Sequence, residues 1–564
     1  MIAMSAFIEE SAFPRLTREE LDALSKIAVC EEYADGQTIW KAGTPDMDLF
    51  VVRSGSIVVV NPAQNNREVV THQEGQFSGD IDVLTGRPVL VTGIARGVTK
   101  CCRVPNSKLR EVLTRIPRLS EKLLVAFQQR RELLQSNGPI GMSVFGYAHC
   151  HHTTLIREFL HKSFVPHTFF DVGSMSDDDV RALNCGNDFP VVRGVDQASD
   201  MVQPTPREVA KAAGIWRHCP GRSVDVAIIG AGPGGIAAAV YAASEGLSTL
   251  VLDSVGPGGQ AGGSSKIENF IGFPAGLSGQ DLSTRGILQM LKFGATLAAP
   301  VTVKKIVPTA PGKPYHELHL DCDTVVQARV VLIATGVRWR KLDAKGASNF
   351  ERAGVYYACT AIEALLHDNE DVFVVGGGNS AGQAAMYLAE CCTTRTVHVA
   401  VRGTFGPAMS EYLSKRIRAT PNIRIHEGTH ITAVHPSETG NGKIGKVTLT
   451  SAAGVKEMPA TAIFVFIGSE PSTQWLPPET ALDDKGFILT GIQLVTADKW
   501  PLKHREPCAL ETSVPGILAA GDVRSGSTKR VGFAVGDGSL AVSCFHTLLT
   551  MTEEYALPVA ETSR

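Results

Sequence analysis

No two of the twelve cysteines in this 564-residue chain are spaced C-x-x-C. They stand at positions 30, 101, 102, 150, 185, 219, 322, 359, 391, 392, 508 and 544. A local redox dithiol and a zinc knuckle both need that spacing, so neither motif is present. Most of the twelve read as reduced core residues, a role cysteine fills well. Charge of one sign is also missing. With 54 Lys and Arg against 57 Asp and Glu, the net charge of −3 gives no electrostatic reason to expect nucleic acid or anionic membrane as partner. No uninterrupted apolar run reaches the roughly 18 residues of a bilayer span. The opening MIAMSAFIEESAF lacks a basic segment and carries Glu9 and Glu10, unlike a secretory signal. These absences predict a cytoplasmic chain. What is present is ordinary globular composition, 44% hydrophobic with 55 glycines, at a length that suggests two to four domains.

Residues 1–135 open with a helical stretch, LTREELDALSKIA. Strand-like DLFVVRSGSIVVVN, REVVTHQEGQF and VLVTGIARGVTKCCRV follow, and a charged helix, LSEKLLVAFQQRRELLQ, closes the block. Short strands between helical ends suggest a small β-barrel. The block resembles a cyclic-nucleotide-binding domain, whose phosphate cassette would be FSGDIDVLTGRPVLVTG (77–93). That family places a glutamate against the ribose and an arginine after a proline against the phosphate. Here those positions hold Asp80 and, after Pro88, Val89. Without a guanidinium a buried phosphate loses its strongest partner, so a cyclic nucleotide is not the expected ligand.

Residues 136–216 read β-α-β-α-β, from PIGMSVFG through HTTLIREFLHK, SFVPHTFFDV and SDDDVRALN to FPVVRG, where Pro190 leads the last strand. The order resembles a shortened thioredoxin or glutaredoxin fold. Its dithiol site reads HCHHTT, with Cys150 and no second cysteine. A lone thiol at a helix start can be activated, but the block also reads as a docking module with an inert cysteine. His149, Cys150, His151 and His152 are adjacent and cannot all face one ion from regular structure, so no metal is expected.

From Val224 the pattern sharpens. VDVAIIG is a buried parallel strand, GAGPGG a tight turn, IAAAVYAASEG a helix of small residues and LSTLVLD the next strand. Gly230, Gly232 and Gly235 give G-x-G-x-x-G, which admits the turn, the pyrophosphate and close helix packing in that order. The helix start favours the anion. Asp253 ends the second strand, placed to accept from a ribose hydroxyl. A second turn, VFVVGGGNSAGQAAMYLAE (372–390), carries Gly376, Gly378 and Ala381, with Asn379 and Ser380 opening its helix. The following strand TVHVAV ends at Arg402 rather than at an acid, which favours the 2′-phosphate of NADP over the free hydroxyl of NAD. Gly378 to Gly382 also spell G-x-S-x-G, but no acid and histidine sit in a hydrolase context, and the dinucleotide turn accounts for every residue.

GPGGQAG (256–262), KIENFIGFP (266–274), VVLIATG (330–336), PGILAAGDV (515–523) and KRVGFAVGDGSLAV (529–542) follow in an order that resembles thioredoxin reductase-like flavoproteins. The resemblance implies FAD, with Gly259, Gln260, Asn269, Thr335, Gly336, Gly521 and Asp522 at its binding segments. Lys529, Arg530 and Val531 would lie near the flavin ring, where a cation or helix start stabilises the reduced anion. The implied class is a multidomain protein. A cyclic-nucleotide-binding-like β-barrel (1–135) and a thioredoxin-like α/β domain without dithiol (136–216) precede a two-dinucleotide α/β flavoprotein. Its FAD domain comes in two parts (222–340 and 467–552) around an NAD(P)H domain (341–466).

In thioredoxin reductases a C-x-x-C lies just before the second turn. Here that stretch is AGVYYACTAIEA, with Ala358 and Ala361 at the two cysteine positions and Cys359 between them. One cysteine forms no internal disulfide, and Cys359 reads as a packing residue. The expectation is an FAD-dependent oxidoreductase that takes hydride from NADPH and passes electrons to oxygen, a quinone, a protein centre or a small disulfide. By the same resemblance it is a homodimer. The alternative is a redox-sensing flavoprotein whose barrel binds a ligand or partner.

Overall fold

The computed structural model describes residues 11–136, 141–194, 200–216, 223–264, 266–309, 314–367, 369–406, 409–438 and 443–556. Helix α1 (Arg18–Ser25) starts on a capping box in which the Thr17 hydroxyl accepts from the Glu20 N–H at 3.2 Å and Glu20 Oε2 accepts from the Thr17 N–H at 2.7 Å. Strands β1 (Val29–Tyr33), β2 (Thr38–Trp40), β3 (Leu49–Asn61) and β4 (Arg67–His72) follow. After helix α2 (Ile81–Thr85) comes β5 (Thr92–Val104), then α3 (Asn106–Arg115) and α4 (Pro117–Ser136). The sheet runs β1-β5-β3-β4, with β2 also on β5. Alternation along β3 sends Leu49 and Val51 to one core with Phe77, Leu109 and Phe127, and Phe50 and Val52 to another with Trp40 and Val59. Both faces are covered at the two ends of the strand, which is why LFVV and IVVV read as apolar runs on either side of the less buried RSGS. β1, β2 and α3 were not anticipated from the sequence.

The second domain comprises β6 (Met142–Gly146), α5 (His151–Lys162), β7 (His167–Asp171), α6 (Asp177–Ala182), β8 (Val191–Arg193), β9 (Asp200–Val202) and α7 (Pro206–Ala212). Its sheet runs β7-β6-β8-β9, parallel only between β6 and β7. The Phe189–Pro190 peptide bond is cis. The expected linker WRHCPGRS lies almost wholly outside the described residues, as do Pro139 and Ile140 of the expected first strand.

The first dinucleotide sheet is built from β10 (Ser223–Ile229), α8 (Pro233–Ser244), β11 (Thr249–Leu252), α9 (Gly279–Phe293), β12 (Thr296–Ala298), β13 (Val303–Val307), β14 (His316–Leu320) and β15 (Val325–Ile333). Its order is β12-β11-β10-β15-β14-β13. The chain leaves through β16 (Val337–Trp339) into β17 (Val355–Tyr356), α10 (Ala361–Leu366), β18 (Val372–Val375), α11 (Asn379–Cys391), β19 (Val397–Ala400), α12 (Glu411–Ala419) and β20 (Ile423–His426). A meander of β21 (His430–Pro436), β22 (Ile444–Ser451) and β23 (Gly454–Pro459) precedes β24 (Ala462–Val465), which completes a second parallel sheet, β17-β24-β18-β19-β20. β25 (Ser469–Pro471) pairs antiparallel with β16, so the two crossings between sheets form one ribbon. Then α13 (Ile492–Thr496), β26 (Ile517–Ala519) and α14 (Val531–Ala556) return to the first sheet, with β26 parallel to β15.

Helix α14 bears on the reading of apolar runs. Its stretch Val531–Met551 is long and apolar enough to cross a membrane by length and composition, although Asp537 interrupts the run. Ala541, Val542, Phe545 and Leu548 of this helix lie in the core of the first dinucleotide domain. The domains also share cores. Leu288 of α9 packs in the first-domain core beside Leu109 and Phe127, and Phe164 of the second domain packs in the core under α8.

Candidate functional site

The turn after β10 leaves no room for side chains at Gly230 and Gly235, where the backbone packs on itself. A Cβ on Gly235 would stand 1.9 Å from the Gly230 carbonyl oxygen, and one on Gly230, at φ +109°, would stand 2.4 Å from that of Ala334. Gly232 is the N-cap of α8 and meets only Gly259 Cα, at 3.9 Å, so its side is open. Asp253 has a second task beyond the ribose expected of it. Its Oδ2 accepts from Ala231 N at 2.8 Å, and its Oδ1 from Val255 N at 2.9 Å and Gly256 N at 2.8 Å, which fixes the glycine turn to the next loop.

Two buried polar atoms are left without a protein partner at this site, Thr335 Oγ1 and Asp522 Oδ1. A buried acceptor with no partner is costly, and a polyhydroxylated cofactor would satisfy both. Burial raises the Asp522 pKa, opposed by Lys529. The Lys529 ammonium folds back onto the Asp522 carbonyl and sits 4.0 Å from the Phe487 ring centroid. Arg530 is exposed just before α14 begins at Val531. Gln260 donates to the Val337 carbonyl, and Asn269 is exposed. Gly336 has φ +64° and Gly521 φ +73°. One residue escaped the sequence reading: Asp537 Oδ2 accepts from Gly521 N at 2.9 Å while Arg524 holds the same carboxylate, so the turn bearing Asp522 is anchored from α14. The G-D pair in KRVGFAVGDGSLAV was its only signal.

The second turn repeats the scheme. Gly376 has φ +140°, and a Cβ there would stand 2.3 Å from the Phe466 carbonyl oxygen; Gly378 is the N-cap of α11. Asn379 Oδ1 accepts from Ser410 N at 2.7 Å, and Ser380 is exposed. Arg402 lies exposed just past the end of β19. The other nearby cations have acidic partners: Lys415 pairs with Glu411 at 2.7 Å, Arg416 with Glu390 at 2.8 Å, and Arg418 with Glu427 at 3.6 Å.

The stretch before α10 lies on the flavin-side loop. Cys359 bridges in parallel with Ser264, and Ala358 Cβ would be 3.4 Å from a Cβ on Gly263. Cys359 is 4% exposed, and burial, with Glu363 adding, pushes its thiol well above the ordinary range. Thr360 N donates to Glu363 Oε2 at 2.7 Å, a capping arrangement that T-x-x-E could have announced. Beside Thr360 opens a cavity of about 270 Å³, walled by Gly262, Ser264, Tyr387, His161 and Arg131.

The residues of the N-terminal domains that looked like sites of their own are engaged in contacts within these domains and, in part, with the flavoprotein. Asp80 and Asp82 both pair with Arg131, at 2.8 and 2.7 Å, and Asp80 also caps α2 by accepting from Asp82 N. Burial raises the Asp80 pKa to about 6 against the pull of Arg131. In the cassette, Arg87 donates to the Ser163 carbonyl at 2.6 Å, Pro88 packs on Gly214, and Val89 is buried. Cys150 is the N-cap of α5, and Thr153 occupies the second cysteine position with its buried hydroxyl unpartnered. The adjacent histidines diverge: His149 meets the His367 ring, His151 bonds the Glu351 carbonyl and His152 that of Pro204.

Comparison with known proteins matches residues 224–538 to the family described as pyridine nucleotide-disulphide oxidoreductase and residues 30–115 to the cyclic nucleotide-binding domain. The chain is 32% identical over 328 residues to a thioredoxin reductase of Mycoplasma pneumoniae, covering 58% of this chain and 95% of that one. It is 32% identical over 322 residues to that of Listeria monocytogenes, covering 56% and 91%. Among solved structures it is similar to Lactococcus lactis thioredoxin reductase in the FR conformation (26% identity, TM-score 0.51, 58% and 99% covered). The T. acidophilum thioredoxin reductase gives 28%, 0.50, 58% and 98%. Glycine cradles, orphaned acceptors and similarity agree: from Val224 onward the chain is a member of the pyridine nucleotide-disulphide oxidoreductase family, an NAD(P)H-dependent flavin oxidoreductase of thioredoxin reductase-like fold that uses FAD and NADPH.

Proposed function

We propose that this enzyme takes reducing equivalents from NADPH and delivers them from its flavin site straight to an external acceptor, with no dithiol relay of its own. The observation that carries the reading is the stretch before α10, where alanines fill both dithiol positions and Cys359 is buried against the flavin-side loop. FAD, when bound, supplies the two-electron exchange between NADPH and the acceptor. Gly230, Gly232 and Gly235 would admit its pyrophosphate to the start of α8, Thr335 and Asp522 would bond its hydroxyls, and the start of α14 would favour negative charge on its ring. Gly376 and Gly378 would do the same for NADPH, with Arg402 on the 2′-phosphate. The cavity beside Thr360 supports a small acceptor. In the first domain, the carboxylates that would meet a ribose are held by Arg131, and the cassette is packed against the second domain, which supports a scaffold role over cyclic-nucleotide binding.

A homodimer fits the exposed apolar residues on adjacent helices, Tyr241 on α8 and Phe533 and Leu540, one heptad apart, on α14. The deciding experiment is an anaerobic titration of the purified flavoprotein with NADPH and with NADH, followed by flavin absorbance. Stoichiometric bleaching with NADPH, followed by recovery on adding an acceptor in the double variant Cys150→Ser with Cys359→Ser, is the expected result. No bleaching with either nucleotide would favour the sensor reading.

A further inference from the structure

One thiol pair stands outside the flavoprotein machinery. Cys30 on β1 and Cys102 on β5 are directly opposed in antiparallel register, and their sulfurs are 3.7 Å apart. Opposed residues in such a pair have Cα atoms roughly 4.5–5.5 Å apart, inside the range that a disulfide spans. Closing to the bond length of about 2.05 Å takes a movement of about 1.6 Å, within reach of side-chain rotation. The two sulfurs differ in access. Cys30 is exposed on the edge strand, while Cys102 is 1% exposed in the core that also contains Leu288 of α9. Neighbouring Cys101 points into the opposite core and does not compete.

We infer that Cys30 and Cys102 are a reversible disulfide site, oxidised by low-molecular-weight disulfides, that clamps the edge strand β1 to β5. The exposed Cys30 thiolate attacks the small disulfide, forming a mixed disulfide and releasing one small thiol. Cys102 then loses its proton and attacks the Cys30 sulfur, releasing the second. Two protein thiols and one small disulfide thus become one protein disulfide and two small thiols, and the two electrons leave with the small thiols. Burial first, and then the facing Cys30, raise the Cys102 pKa to about 11, while Arg53 lowers it. Capping Cys30 in the mixed disulfide removes its contribution, while burial, the larger cause, still opposes the Cys102 thiolate and Arg53 favours it. Strand β5 leads directly out of the cassette, so the bond ties the first strand of the domain to the segment that docks on the rest of the enzyme.

The test exposes the full-length flavoprotein to oxidised glutathione, quenches with an alkylating reagent and maps the thiols by peptide mass. The expected outcome is a cross-linked peptide pair holding Cys30 and Cys102, reversed by dithiothreitol, retained in Cys101→Ala and lost in Cys30→Ser and in Cys102→Ala. A stable glutathione adduct on Cys30 with Cys102 still free, or both thiols unmodified, would overturn the proposal. Because Cys30 is exposed, the Cys30→Ser protein is expected to fold and bind FAD as before, which makes its result readable even where Cys102→Ala is unstable.

Discussion

Arg402 stands exposed past β19 while Lys415, Arg416 and Arg418 each face a carboxylate, so on the proposed reading the choice between NADPH and NADH would rest on a single guanidinium. A charge-assisted bond of this kind contributes about 1.5–3 kcal/mol, equivalent to roughly 10–100-fold in affinity. Arg402→Ala is therefore expected to raise the KM for NADPH by about that factor and to leave kcat and the KM for NADH unchanged; steady-state assays with both nucleotides check it. Cys359 makes the opposite point, since a buried thiol with a raised pKa is a poor nucleophile. Cys359→Ser should leave the rate at which an acceptor reoxidises the reduced flavin within about twofold by stopped-flow absorbance, while a loss of several orders would restore a thiol relay. At the same scale Asp522→Ala removes a buried acceptor proposed to bond the flavin cofactor. We expect the purified variant to carry less FAD, read from the ratio of flavin to protein absorbance.

Strands and helices carry their own consequences, of which His316 at the head of β14 is the clearest. Its Nδ1 accepts from Thr309 N at 3.1 Å, and burial lowers its pKa to about 4. The unfolded residue takes a proton near pH 6.5, the folded one only near 4, so between those values the unfolded state binds more protons and stability falls as pH falls. The loss reaches about 3 kcal/mol at pH 4. Urea unfolding at pH 7, 6 and 5 should show the midpoint dropping, with a shallower drop in His316→Gln. The elements themselves were unevenly legible. Both glycine turns could be read because strand, turn and small-residue helix are contiguous, and each link constrains the next. Strands β1, β2 and β9 were missed because short edge strands carry no period of their own. The site was legible where local backbone geometry makes it. Asp253 was assigned to a ribose, but its backbone bonds to Ala231, Val255 and Gly256 needed coordinates to appear. The pairing of Asp80 with Arg131 crosses 51 positions, and no local pattern announces it.

For the molecule as a whole, the test is whether the first domain answers to a nucleotide and whether the chain pairs with itself. A ligand at one hundred times its Kd adds about 2.7 kcal/mol to stability. With Asp80 and Asp82 held by Arg131, we expect cyclic AMP and cyclic GMP at millimolar concentration to leave Tm unmoved; a reproducible rise would reinstate the cassette. Leu540→Glu, placed on the exposed stripe of α14, is expected to shift the protein to monomer in analytical ultracentrifugation while its FAD content is kept. One packing detail has the widest reach. Leu288 belongs by sequence to the flavoprotein and by contact to the first domain, while Phe164 is lent in the other direction. Neither end of the chain can therefore be exchanged freely for a homologous piece from another protein. A recombinant joined between residues 165 and 223 would inherit a leucine without its socket and a socket without its phenylalanine. The boundary visible in the sequence is a seam in the fold that evolution could change only by altering both sides together.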